Sequence, residues 1–386
     1  MGARIAVVIV LSTLFSYLHM LRTLRIEALT QLELYVSERG QREQSIFVLA
    51  EDNHAVLKKA LEERIRALSP DKVDTRFDQL FVHLPDGTVR NRPEGFDGTR
   101  MVGLFIPKGV SVDADLRRHI LASYDVLTQY GPAFHTRFTD TFITLPEGAV
   151  IVYWPEGPNW CLEAEPTYSI TSHEYYTIAL PEQNPQRQIA WSGIYQDEVS
   201  KYRMVAVSTP VDVDGRYVAA LHHEVMLDEL VARTANDKLP GTYNIIFRDD
   251  GQLIAYPGMT LESVVQPAHL RSITERVKDR RPGRSVLELP ESSVYLALAR
   301  LQGPDWNFAT VLPESVVSRP ALQAARYVLL LGVLSLLLEL AIMFWVLQQQ
   351  ITRPLRAFTQ ATDKVAAGDF KVELDTSRGD ELGQLT

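Results

Sequence analysis

A chain of 386 residues with 46% hydrophobic and 23% charged residues has the composition of folded globular material and is long enough for two or three domains. Its formal net charge of −9 supplies no basic stripe to neutralise phosphates, which argues against nucleic acid as a partner. The single cysteine, Cys161, excludes an intramolecular disulfide and zinc sites built from cysteine pairs.

Residues 5–21 (IAVVIVLSTLFSYLHML) form a first apolar segment. No small-residue cleavage site follows it and the chain runs directly into charged, helix-forming material, so the segment reads as an uncleaved anchor, a first transmembrane helix. Residues 22–70 read as a long stalk helix, with apolar residues at Ile46, Leu49, Val56, Ala60 and Leu68 among charges. Gly40 is its weak point and Ser69-Pro70-Asp71 its end.

From residue 71 to 232 the texture changes to short strands separated by turns, with a hairpin about Pro85-Asp86-Gly87 and a helix over 114–129. Further strands are expected at 139–145, 150–153, 187–191, 202–211 and 217–225, the last two joined by the turn Asp212-Val213-Asp214-Gly215. Residues 233–318 repeat this texture on a smaller scale, with a helix over 270–277. The fold class is α+β: two tandem antiparallel-sheet modules fed by one long helix.

Residues 327–347 (YVLLLGVLSLLLELAIMFWVL) are long enough to cross a hydrocarbon core of about 30 Å at about 1.5 Å per residue, and form a second transmembrane helix. Its one charge, Glu339, either serves a function within the bilayer or packs at a helix interface in a dimer. Basic residues flank both spans on both sides, so the positive-inside rule leaves the orientation open.

In residues 348–386, Leu355, Phe358, Thr362 and Val365 repeat at spacings of three, four and three, the seam of a parallel coiled coil. Pro354 opens that helix, Ala367-Gly368-Asp369-Phe370 breaks it, and Asp380-Glu381-Leu382-Gly383 starts a second. This pattern directly behind a span resembles the HAMP domain. The resemblance implies a cytoplasmic, dimeric relay in which Pro354, Leu355, Phe358 and Glu381 take part, and places the region between the spans outside the cytoplasm. The second helix is reached only at its opening, so an output module is expected beyond it.

The outer region, through its long first helix, its two tandem modules and the run WSGIYQDEVSKYRMVAVSTPVDVDGRYVAALHHEVMLDEL, is similar to double Cache (dCache) sensor domains. Family members that bind amines or amino acids wall their pocket with tyrosines and use an arginine for the ligand carboxylate and an acid for its ammonium. The matching positions here are Tyr168, His173, Tyr175, Tyr176, Tyr195 and Glu224. The arginine is absent, and an imidazole does not replace its bidentate fork; the resemblance therefore implies a cationic ligand without a carboxylate, or a different class altogether.

His222-His223-Glu224 lies on a strand, where neighbours point to opposite faces, so the two histidines do not share a metal ion readily, and no metal or cofactor is expected. These histidines would make the pocket respond to mild acid. The expected protein is a homodimeric receptor of the bacterial inner membrane, with lipid around its spans, a small-molecule ligand outside, and a histidine kinase as its output. A nucleotide cyclase or a methyl-accepting chemotaxis module is the alternative output. Two rival functions are a ligandless protein-binding sensor and an anchored enzyme using His173 and Glu224 as acid and base.

Overall fold

The computed structural model describes residues 2–69, 73–197, 199–259, 267–277 and 285–368. The chain divides into two compact units, Gln31–Pro313 and Met1–Thr30 with Glu314–Thr386. Helix α1 (Gly2–Ala67) contributes to both as one uninterrupted stretch of 66 residues, because nothing between residues 21 and 39 breaks a helical ladder. Pro70 and Asp71, expected to end it, lie outside the described residues.

In the first unit, α1 is followed by α2 (Val73–Leu80), β1 (Phe81–His83), β2 (Val89–Asn91), β3 (Gly103–Ile106), α3 (Ala114–Phe134), β4 (Thr141–Thr144) and β5 (Val150–Tyr153). Two one-turn helices, α4 (Trp160–Glu163) and α5 (Glu174–Thr177), precede β6 (Ala190–Trp191), β7 (Tyr195–Gln196), β8 (Arg203–Val213) and β9 (Arg216–Met226). Strands β1 to β9 form one sheet in the order β1-β2-β3-β5-β4-β9-β8-β6, with β7 also on β8. Helix α6 (Leu227–Asn236) leads to β10 (Tyr243–Phe247), β11 (Leu253–Ala255), α7 (Ala268–Val277), β12 (Val286–Leu289), β13 (Val294–Leu301) and β14 (Trp306–Pro313). These five strands make a second antiparallel sheet, β11-β10-β14-β13-β12. The α+β fold expected from the sequence is the one observed.

The helix over 114–129 extends to Phe134 with Asp113 as its N-cap, its side chain accepting from the Leu116 amide at 2.8 Å. The β8–β9 turn takes positive φ at both Asp214 (51°) and Gly215 (78°), the conformation that matches a hairpin's twist. The strand expected over 187–191 shrinks to its last two residues, because Arg187 adopts φ 56° and turns its guanidinium onto Asp212, with both bonds at 2.7 Å.

Each sheet has one face on α1 or on helices beside it. In the larger sheet, Ile143, Leu221 and Val211 share a core with Leu57, Leu61 and Ile65 of α1 and Leu116, Ile120 and Leu127 of α3. In the smaller sheet, Ile245, Leu296 and Val311 pack on Leu270 and Ile273 of α7, while Asn244 and Ala299 on the other face meet α1 at Tyr35 and Gly40. The buried seam of α1 is Leu32, Val36, Phe47, Ala50, Leu57, Leu61 and Ile65. Leu49 and Val56, read from the sequence as part of the stalk's apolar stripe, are exposed by 36% and 49%. The helix carries apolar residues on more than one side, so periodicity alone did not choose the face.

The remaining unit holds the start of α1, α8 (Glu314–Leu347), a π-helical turn (Gln348–Thr352) and α9 (Arg353–Ala366). Both α1 near its start and α8 are long and apolar enough to cross a membrane. They approach closely where Gly332 meets Ile9: a Cβ added at Gly332 would sit 2.6 Å from Ile9 Cγ2. Pro354 lies in the first turn of α9, where its missing amide is tolerated. Leu355 and Val365 stay about half exposed in the single chain (51% and 43%) and Glu339 is exposed. Glu381 and the second helix it was expected to open lie outside the described residues.

Gly40 is a packing requirement rather than a weak point, since an added Cβ would fall 2.5 Å from the Ala299 side chain. Gly→Ala in an exposed helix gains up to about 1 kcal/mol from propensity alone. Here Gly40→Ala is expected to lower stability by about 1–3 kcal/mol through overpacking, read as a lower unfolding temperature by intrinsic fluorescence; a raised temperature would place the β13 contact elsewhere.

Candidate ligand site

Alternation along β4 and β9 sorts their side chains onto two faces. Thr141, Ile143, Leu221 and His223 face the α1 side, whereas Phe142, Thr144, His222 and Glu224 face the opposite side. Asp140 immediately precedes β4, one residue before Thr141, whose cross-strand partner is His223; this sets Asp140 beside Glu224. On that face a cavity of about 280 Å³ opens, lined by Asp140, Phe142, Trp154, Trp160, Tyr168, His173, Tyr175, Tyr195, Asp197 and Glu224 with aliphatic residues between them.

The walls come from short segments pinned by polar contacts. Arg90 of β2 is 3% exposed and donates to the carbonyls of Cys161 (3.0 Å) and Ala164 (2.5 Å), which fixes α4 and with it Trp160. The Ser208 hydroxyl donates to the Tyr175 carbonyl at 2.6 Å and anchors α5 on β8. Glu174 Oε2 accepts from the Gly193 amide at 2.9 Å, tying α5 to the loop that carries Tyr195. Around the cavity, His173 stacks on Tyr175 at 5.0 Å between centroids, Tyr175 meets Tyr195 at 5.4 Å, and Trp160 meets Tyr168 at 5.5 Å.

Five of the six residues expected in the site, Tyr168, His173, Tyr175, Tyr195 and Glu224, line this one cavity. Tyr176 does not: consecutive side chains on a helical turn point about 100° apart, and its hydroxyl donates to the Pro146 carbonyl at 3.1 Å instead. His173 Nε2 lies 3.4 Å from the Tyr168 hydroxyl, and Glu224 Oε1 accepts from Tyr195 at 2.5 Å. Among the described residues no hydrogen bond joins His173 to Glu224, so the acid–base pairing of the enzyme reading has no geometric support.

The sequence reading missed Asp140, Asp197, Trp154 and Trp160. Strand alternation backward from Phe142 was the signal that would have found Asp140. Its Oδ1 is buried and has no hydrogen-bond partner. Burial, and then the charge of Glu224, push the Asp140 carboxyl well above the usual range. Burial also raises Glu224, against the hydrogen bonds from Asp140 and Tyr195 that favour its ionised form. The lining holds three carboxyl groups and, among its described residues, no Lys or Arg.

The other side of β9 is a buried histidine cluster. His54 of α1 lies 4.8 Å from His223 between ring centroids and 2.7 Å from the Thr209 hydroxyl through Nδ1. His223 stacks on Phe138 at 4.4 Å, and His222 is held between Thr144 (2.8 Å) and Ser208 (3.0 Å) on the cavity face. Burial lowers His54 well below its ordinary value and takes His222 and His223 down to about 3.

Native histidines with depressed values bind fewer protons than the unfolded chain, so their contribution falls as pH drops from about 6.5 toward 3. Asp140 and Glu224, raised in the fold, act with the opposite sign. In the Asp140→Asn, Glu224→Gln double variant, which removes that opposing slope, each of His222 and His223 is expected to cost about 2 kcal/mol between pH 7 and pH 5. Urea unfolding at the two pH values measures this, and an unchanged midpoint would mean the histidines are not held neutral.

Residues 346–386 match the HAMP domain. The chain is similar to methyl-accepting chemotaxis protein McpC of Bacillus subtilis (strain 168), 22% identical over 222 residues, which are 57% of this chain and 32% of that protein. It therefore spans about a third of that relative's length. Among solved structures, the sensory domain of the Campylobacter jejuni chemoreceptor Tlp3 is 14% identical with a TM-score of 0.47, covering 78% of this chain and 98% of that one. The ligand-binding domain of the Pseudomonas aeruginosa PAO1 amino acid chemoreceptor PctC, in complex with GABA, is 19% identical with a TM-score of 0.34, covering 52% and 81%. The match to the HAMP domain thus begins at the end of α8, behind an α+β unit of residues 31–313.

Proposed function

We propose that the chain is the sensory half of a transmembrane receptor of the bacterial inner membrane, whose extracytoplasmic cavity takes a small organic cation lacking a carboxylate. The observation that carries this reading is the composition of the cavity wall: Asp140, Asp197 and Glu224 set among aromatic rings, with no Lys or Arg among the described lining residues. A cation over an aromatic face gains about 0.5–2 kcal/mol, more as water is excluded, and a carboxylate supplies the countercharge. A ligand carboxylate would meet three acids and no guanidinium. A volume near 280 Å³ lies at the small end of ligand pockets.

Occupancy is relayed from β14 into α8, which follows it without a break, and through the second span to the HAMP helices. Binding biases such a relay only by its differential affinity for two states. The half-exposed Leu355 and Val365 of α9, with the exposed Leu49 and Val56 of α1, support a homodimer in which a second copy covers these residues. The likeness to a methyl-accepting chemotaxis protein favours a chemotaxis signalling module as the output over the histidine kinase read from the sequence. Pro354, Leu355, Phe358 and Glu381 belong to the proposed relay, and Glu339 sits in the span that feeds it.

Thermal unfolding of the full chain in nanodiscs, against choline, 2-phenylethylamine, alanine and glutamate, tests the ligand class. A cation at about 100 times its dissociation constant stabilises the fold by about 2.7 kcal/mol. The amines are expected to raise the unfolding temperature, the amino acids to do so far less, and Glu224→Gln to abolish the effect. Stabilisation by glutamate and not by the amines would reverse the assignment.

A further inference from the structure

Asp140 and Glu224 are 5% and 7% exposed and adjoin each other across the β4–β9 pairing. Glu224 accepts from the Tyr195 hydroxyl and shares a hydrogen bond with the Asp140 carboxyl, whose Oδ1 receives no donor. The other titratable groups lining the cavity are Tyr168, Tyr175, Tyr195, His173 and Asp197, of which the last adds charge of the same sign. From β9 itself His223 points to the α1 side, with Nδ1 3.4 Å from the backbone carbonyl of Asp140 rather than from its carboxyl.

A wider groove that also reaches Glu224 brings Arg42, Arg137, Arg233 and His135 together with Glu156 and Glu229. Arg233 is taken by Glu43 at 3.2 Å, and Arg42 lies 4.0 Å from Asp237. Among the described residues none of these cations hydrogen-bonds to Asp140 or Glu224. Two adjacent carboxyl groups in such a setting do not both ionise without a cation beside them, because the second charge is repelled by the first and poorly solvated.

We propose that Asp140 is a second ligand-binding carboxyl, that it shares one proton with Glu224 while the cavity is empty, and that an entering organic cation displaces this proton to solvent. The inference rests on the cation-receptor reading above and adds the partner that the family resemblance did not supply. Charge balances in the exchange: the cavity loses one proton and gains one positive ligand, so its net charge is the same before and after. A neutral molecule of the same shape cannot make the exchange, which gives the site discrimination by charge as well as by fit. Proton release further makes the apparent affinity depend on pH, rising as the medium becomes less acid.

The test is calorimetric titration of the full chain in nanodiscs with choline and with 2-phenylethylamine over about pH 5.5 to 8.5. Each titration is repeated in buffers of different ionisation enthalpy to count protons. Choline keeps its charge at every pH, so any proton released comes from the protein. Release approaching one proton per bound cation is expected, with affinity improving by up to tenfold per pH unit on the acid side. The neutral isostere 3,3-dimethyl-1-butanol should not compete.

Asp140→Asn should still bind the cation but release almost no proton, and circular dichroism reports whether it is folded. Binding with no proton release at any pH, or undiminished release from a folded Asp140→Asn, overturns the exchange and leaves the receptor reading standing. Failure of both amines to bind at millimolar concentration at every pH overturns both.

Discussion

The packing of one face of α1 against both sheets is the contact on which the rest of the unit of residues 31–313 depends. Phe47, fully buried, holds Trp191 from the larger sheet at 5.2 Å and Trp306 from the smaller at 5.6 Å, both edge-on. Aromatic pairs of this kind contribute about 0.5–1.5 kcal/mol beyond the area they bury. Trp191 also donates to Glu51 of α1 at 2.9 Å. One turn earlier on α1, Glu43 is buried between Arg39 (2.9 Å) and Arg233 (3.2 Å) of α6, and Arg39 reaches Asp237 at 3.2 Å. An ion cluster of this kind, with Arg39 and Glu43 buried and Arg233 and Asp237 partly exposed, adds little net stability over an apolar core of the same volume, because desolvation offsets much of its attraction. Its contribution is register: it fixes the rotation of α1 against α6, the helix that joins the two sheets.

The electrostatics of the larger sheet follow from the same arrangement. Because α1 and α3 cover one face, the opposite face is left to the short segments α4, α5 and the β6–β7 loop, which enclose the cavity without filling it. Strand β9 therefore has two different neighbourhoods at consecutive residues. Glu224 faces the cavity, and His223 faces His54 of α1. A change of charge at the first occurs one residue from the contact between the strand and the helix that begins as a span-length apolar segment.

Much of this architecture was legible in the sequence, because it rests on long, periodic signals. The second apolar segment, the turn at Asp214-Gly215 and the alternation along β8 and β9 each specify their element locally. The site was legible only through resemblance, and then in part. The motif positions that fell on rigid strands or their flanks, Tyr195 and Glu224, came together. Tyr176, on a single helical turn, was rotated away by the geometry of consecutive helical residues, which no pattern over one turn reveals. Asp140 escaped notice because it lies outside any motif and acquires its role from the cross-strand register. The buried face of α1 was misread for a related reason: with apolar residues on several sides, only the position of the sheets decides that Phe47 is inside and Leu49 outside. Gly40 looked like a defect in the helix for want of Ala299 beside it.

In the proposed receptor, charge exchange in the cavity of the larger sheet reaches the HAMP helices. Disulfide crosslinking between copies of the full chain in nanodiscs, with Phe358→Cys in α9 and the buried Cys161 replaced by Ser, tests it most directly. Saturating choline is expected to change the initial crosslinking rate severalfold, and Glu224→Gln to remove that change. A rate that choline leaves untouched while it occupies the cavity would contradict the claim.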